Sequence, residues 1–221
     1  MRPFRAVLFD FDGTLVDSYP AITASVNHVR AGQGLPPLPE PEVRRHVGRG
    51  PAYLIAHTVP RGDPEANVAA YRAHHPSVLR DGTRLLPGAA EALGRLHRRG
   101  LRLGICSNKP VAFTRELVAL LDVASHLELV LGPEDVARPK PAPDMLLAAL
   151  RRLGLPAGEV LYVGDMGVDV ETARGAGVTV WVVPTGSDEP EALARAHPDR
   201  VLRDLHELPD LLDGSPGTGG A

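Results

Sequence analysis

The chain has 221 residues, 43% of them apolar, and sets 24 basic against 27 acidic side chains for a formal net charge of −3. That size supports one substantial core and a smaller second one. The near-balance of charge, with no block of one sign, argues against a nucleic-acid or membrane surface and favours small-molecule chemistry. The run from Met1 through Arg5 into "AVLFDFD" leaves no room for an apolar signal segment, and no later stretch is long enough to span a bilayer, so a cytoplasmic protein is expected. The lone cysteine, Cys106, lies in an apolar run and reads as a small core residue. Lysine occurs only at 109 and 140 in an arginine-dominated chain, which makes each lysine informative.

In chain order, "RAVLFD" (Arg5 to Asp10) is a short apolar run ending in an acid, as a buried parallel strand would be. The interval from about Ser18 to Leu85 then reads as three helical stretches, Tyr19 to Gly32, Pro39 to Thr58 and Asp63 to Arg80, separated by Pro- or Gly-rich turns. Beyond it, helical and strand patterns alternate. Helices are expected over Pro87 to Gly100, Lys109 to Asp122, Ala142 to Gly154 and Val168 to Gly177, and strands over Leu101 to Asn108, Glu159 to Asp165 and Val178 to Pro184. The expected fold class is α/β, a Rossmann-like parallel sheet covered on both faces, with an all-helical insert after the first strand. The divisions are 1–17 and 84–213 for the core, 18–83 for the insert, and a probe of composition marks 214–221 ("GSPGTGGA") as a disordered tail.

Ligands of open parallel sheets bind at the carboxyl ends of the strands. That rule gathers Asp10 and Asp12 after the first strand, Ser107 and Asn108 after "LGIC", and Asp165 after "LYVG", with Asp169 one helical turn further on. Clustered carboxylates repel one another unless a cation lies among them, and an oxygen-only donor set without zinc-type Cys/His spacing favours Mg²⁺. Lys140, beside an expected helix start, adds a compact positive charge, so that metal, lysine, Ser107 and helix start together suit a phosphate group. Lys109 either assists this site or only begins the next helix. His74 and His75 are expected to be surface or packing residues.

"DFDGTLVDS", "CSN", the Lys140 segment and "GDMGVDVETARGAG" stand in the order and spacing of the four motifs of the haloacid dehalogenase superfamily, which the chain resembles over nearly its whole length. The insert resembles the helical cap of phosphoglycolate phosphatases and β-phosphoglucomutases. The resemblance implies a Mg²⁺-dependent phosphatase acting on a small phosphorylated metabolite, with Asp10 as nucleophile and Asp12 as general acid and base. It implies metal ligation by Asp10, the Asp12 carbonyl and Asp165, with Asp169 acting through water. It further gives Ser107 and Lys140 phosphoryl contacts, Asn108 a weaker substrate contact, and Thr14 a hydrogen bond to an acid or to the phosphoryl group. Arg49, between Gly48 and Gly50, is a candidate for a substrate carboxylate or second phosphate. Asp12 argues against a dehalogenase, and the lack of lysine between Ser18 and Leu85 against phosphonoacetaldehyde hydrolase chemistry. A phosphosugar mutase, a pyrophosphatase or nucleotidase, and a non-catalytic binding protein remain as alternatives, and the oligomeric state stays open.

Overall fold

The computed structural model describes residues 4–213; the expected tail at 214–221 lies outside them. In chain order the elements are β1 (Ala6–Phe9), β2 (Val16–Asp17), α1 (Tyr19–Gly32), α2 (Glu40–Arg44), α3 (Pro51–Thr58), α4 (Pro64–His74) and β3 (Arg84–Leu85). Then follow α5 (Ala89–Arg98), β4 (Arg102–Cys106), α6 (Val111–Leu120), β5 (Leu129–Leu131), α7 (Asp144–Leu153) and β6 (Val160–Gly164). The chain continues through α8 (Gly167–Ala176), β7 (Thr179–Val182), α9 (Pro190–Arg195), β8 (Arg200–Val201) and α10 (Glu207–Leu212).

Six strands form one sheet in the order β5-β4-β1-β6-β7-β8, and every neighbouring pair is parallel. β1 therefore sits at the reversal point, with β4 on one side and β6 on the other. Side-chain alternation along β1 sends Val7 and Phe9 to one face and Ala6 and Leu8 to the other. The first face packs with Leu93 and Leu96 of α5, Leu117 of α6 and Leu208 of α10. The second packs with Met145 and Ala149 of α7 and Val170 and Ala173 of α8. This is the expected α/β fold. β5, of three residues, and β8, of two, escaped the sequence reading because runs so short carry no usable periodicity.

The helices α1 to α4 pack around a separate cluster that includes Ile22, Val26, Val43, Leu54, Ile55 and Tyr71. The antiparallel pair β2 and β3 lies where the chain enters and leaves this helical layer. The stretch from Pro39 to Thr58 is two helices and not one: Gly48 (φ 107°) and Gly50 (φ 85°) take backbone conformations outside a helix, and Pro51 starts α3. Pro76 likewise ends α4 early, so that His75–Ser77 form a single 3₁₀ turn. Among the described residues no helix is long and apolar enough to cross a membrane.

Leu93 is fully buried on the face of the sheet formed with α5. Leu93→Ala should lower unfolding free energy by about 2–5 kcal/mol, seen as a lower urea midpoint at an unaltered slope.

Candidate active site

The reversal around β1 opens a crevice at the carboxyl ends of the strands. Asp10 follows β1 directly and Asp12 stands two residues on; Ser107, Asn108 and Lys109 follow β4; Asp165 follows β6; Lys140 arrives from the segment before α7. Gly13, at φ 85°, turns the chain sharply after Asp12. A Cβ there would lie 2.6 Å from Asp165 Oδ2, so glycine also lets this turn approach the second acidic strand end.

Lys140 is the centre of the constellation. Its side chain is 1% exposed, and Nζ lies 2.9 Å from Asp10 Oδ1, 2.7 Å from Asp169 Oδ1 and 3.0 Å from the Tyr162 hydroxyl. Burial alone would depress the lysine's pKa, but Asp10 and Asp169 outweigh it and push the value up, keeping the ammonium charged. Tyr162 donates in turn to the Cys106 carbonyl at 2.8 Å. Cys106 is buried and its thiol is pushed up to about 12 by burial, in keeping with a core residue.

Asp169 is held at all points. Its Oδ2 accepts from the Asp165 and Met166 backbone N–H groups, each at 3.1 Å, while Oδ1 faces Lys140 and Tyr162. Three donors, the two backbone N–H groups and Lys140 Nζ, leave this carboxylate fixed at the start of α8, as an anchor for Lys140. Thr14 donates to Asp165 Oδ1 at 2.5 Å, so its hydroxyl meets an acid and not open cavity. Asn108 is likewise committed: Nδ2 donates to the Gly48 and Lys140 carbonyls and Oδ1 accepts from the Lys140 N–H. It ties the strand end both to the Lys140 segment and to the α2–α3 turn.

Asp12 accepts from Ser18 Oγ at 2.5 Å and pairs with Lys109 Nζ, which lies 3.0 and 3.2 Å from its two oxygens. Lys109, left open by the sequence, is thus a buried member of the site. Asp10 and Asp12 line one cavity with Ser107, Asn108, Lys109 and Gly48. Arg49 does not line it: its side chain is exposed and its guanidinium stands 5.3 Å from the Tyr53 ring centre. The reason is local geometry, since the flanking Gly48 and Gly50 turn their backbone toward the cavity and Arg49 away. Met166 packs its thioether against Gly48, filling space that a Cβ there would occupy.

Asp10, Asp165 and Asp169 each bring a buried carboxylate oxygen within 4.8 Å of the others. Burial pushes Asp10 up to about 6, with Lys140 and Ser107 pulling the other way, and burial with the Asp169 and Asp10 charges drives Asp165 well up. Asp165 Oδ2 is buried without a hydrogen-bond partner among the described residues. An unpartnered oxygen beside a second buried acid, with no nitrogen or sulfur donor in the group, fits a hard divalent cation. Asp10 and Asp165 have free capacity for direct ligation; Asp169, held by Lys140 and two backbone N–H groups, completes the acidic group beside them.

Tyr162, a phenol in an otherwise aliphatic strand run, joins the site through Lys140. His75 is wholly buried, as a packing residue would be, and lines the same cavity.

Residues 7–183 match the family described as haloacid dehalogenase-like hydrolase. The chain is 40% identical to the phosphoglycolate phosphatase of Rhodospirillum rubrum, over 98% of this chain and 93% of that protein. It is 36% identical to a plasmid-borne phosphoglycolate phosphatase of Cupriavidus necator, over 95% and 94%. Among solved structures, a predicted phosphoglycolate phosphatase from Haemophilus somnus superposes with a TM-score of 0.91 over 96% of this chain and 99% of that one, at 24% identity, and shares the fold. A hydrolase from Pseudomonas syringae superposes with a TM-score of 0.80 at 26% identity, covering 96% and 99%.

The raised Asp10 value fixes a sign. A carboxyl whose folded value lies above its unfolded one contributes stability below pH 4, lost as pH rises through about 6. In EDTA, Asp10→Asn should therefore match the parent protein near pH 4 and exceed it by about 2 kcal/mol at pH 7.5. Denaturant midpoints at the two pH values check this, and an equal gap at both would remove the charge as its cause.

Proposed function

The chain belongs to the haloacid dehalogenase-like hydrolases and is a phosphatase of that family, and from that premise we propose that it hydrolyses a small phosphoglycolate-like phosphomonoester through an aspartyl-phosphate on Asp10. The observation that carries this reading is that Asp10 and Asp12 line one cavity while a buried ammonium stands 2.9 Å from Asp10. Two acids in different settings suit two roles, one nucleophile and one proton carrier.

In the first step an Asp10 carboxylate oxygen bonds to phosphorus as the ester P–O bond breaks, and the departing alkoxide takes a proton from the Asp12 carboxyl. In the second, Asp12 accepts a proton from water as that water's oxygen attacks phosphorus, the acyl phosphate breaks, and inorganic phosphate leaves with Asp10 restored. Lys140 and Ser107 offset charge on the phosphoryl oxygens. Asp10, Asp165 and the Asp12 carbonyl would hold Mg²⁺, which when bound neutralises negative charge at the phosphoryl group. Asp169 and Tyr162 position the Lys140 ammonium. Thr14 orients Asp165, and Asn108 joins the strand end to the loop over the cavity. Residues 18–83 serve as a cap domain on a core of 1–17 and 84–213, and the enzyme works in the cytoplasm.

The largely apolar wall opposite Asp10, with Ile22, Leu54 and Phe113, supports a substrate with few hydroxyls over a hexose phosphate, and so a hydrolase over a phosphosugar mutase. Phosphate release from 2-phosphoglycolate, glucose 1-phosphate, nucleoside monophosphates and pyrophosphate, with Mg²⁺ and with EDTA, tests this. Metal-dependent release with 2-phosphoglycolate preferred is expected; isomerised sugar phosphate with little free phosphate would overturn it. Asp10→Asn should lower kcat at least 10³-fold while the protein stays folded, since the amide keeps the shape and loses the nucleophile. Substantial residual turnover by that variant would remove Asp10 from its assigned role.

A further inference from the structure

His75 is fully buried at the base of the helical layer and lines the cavity that holds Asp10 and Asp12. Its ring is fixed between Tyr71, stacked at 5.0 Å, and Phe113, edge-on at 5.0 Å. Nδ1 lies 2.9 Å from Ser25 Oγ, which is itself 3.1 Å from the Ala21 carbonyl oxygen. Nε2, at the other end of the ring, is buried with no partner among the described residues. A phenyl ring would suit this aromatic slot without leaving a bare nitrogen. The imidazole makes physical sense if a ligand supplies the missing partner.

We propose that His75 Nε2 hydrogen-bonds the end of the substrate remote from the phosphoryl group and thereby sets specificity, a role that rests on the phosphatase reading above. With the phosphoryl group at Lys140 and Ser107, the rest of a small ester faces a largely apolar wall, including Ile22, Leu54 and Phe113, broken by Tyr71, His75, Asn108 and Lys109. Lys109 is already paired with Asp12, whereas His75 has an unused atom. The Ser25 hydroxyl can donate to the Ala21 carbonyl, to His74 Nδ1 at 3.2 Å or to His75 Nδ1, the shortest of the three contacts at 2.9 Å. In the last arrangement Nε2 carries the ring proton and donates to a carboxylate, while the imidazole stays neutral. Burial and the Lys109 charge, which push the His75 value down to about 2, keep it neutral throughout the working pH range.

The test compares 2-phosphoglycolate with ethyl phosphate, which has no carboxylate. Both kcat/KM in the parent enzyme and Kd in an Asp10→Asn background with Mg²⁺ are measured, each with and without His75→Phe. The phenyl variant keeps the ring between Tyr71 and Phe113, and His75→Gln keeps a hydrogen-bonding group without the ring. We expect His75→Phe to shrink the preference for 2-phosphoglycolate by roughly 10- to 100-fold, chiefly through KM and Kd, and His75→Gln to retain a larger share of it. An equal loss for both esters would assign His75 to packing and overturn the proposal, as would an unaltered preference. A carboxylate preference in binding that needs His75, without turnover of either ester by the parent enzyme, would overturn the phosphatase reading and leave the role of His75 standing.

Discussion

A buried lysine needs its charge answered, and much of this site follows from how that is done. The Lys140 ammonium lies within 3.0 Å of an oxygen of Asp10, of Asp169 and of the Tyr162 hydroxyl, so its charge is answered by two carboxylates and a phenol. An unpaired ammonium at this depth would be strongly destabilising, whereas a paired one is tolerated. Asp169 can act as partner because the start of α8 fixes it through two backbone N–H groups. One charge thus couples the end of β1, the phenol of β6, the segment before α7 and the start of α8.

The same arrangement explains why the acids differ. Asp10 shares Lys140, Asp165 keeps one oxygen bare, Asp169 is held by Lys140 and two backbone N–H groups, and Asp12 stands apart with Lys109 and Ser18. Their environments give the four carboxylates different capacities, and the proposed mechanism uses them as nucleophile, cation ligand, anchor and proton carrier. Composition places acids at strand ends; hydrogen bonds decide what each can do.

The helical layer covers the site through a few directed contacts. Asn108 reaches the Gly48 carbonyl, Arg44 donates to the Thr185 and Gly186 carbonyls, and the Met166 thioether fills the space left by Gly48. The layer's own apolar side chains pack mainly on one another. Polar joints of this kind hold the layer over the cavity without merging two hydrophobic cores, and they bring His75 and Tyr71 over the crevice.

The four long strand runs, the helices between them and the acids at the strand ends were legible in the sequence, because buried parallel strands are continuous apolar runs and their ends mark the crevice. Asp10, Asp12 and Asp165 could be picked out on that basis, and Lys140 as one of two lysines in an arginine-dominated chain. Only the tertiary structure decided that Arg49 faces outward, that Asn108, Thr14 and Asp169 serve neighbours before any ligand, and that Lys109, Tyr162 and His75 belong to the site. Periodicity and spacing tell on which element a side chain rides. Its partners come from segments such as 48, 75, 109 and 140, brought together by packing between distant parts of the chain, and no local pattern encodes that meeting.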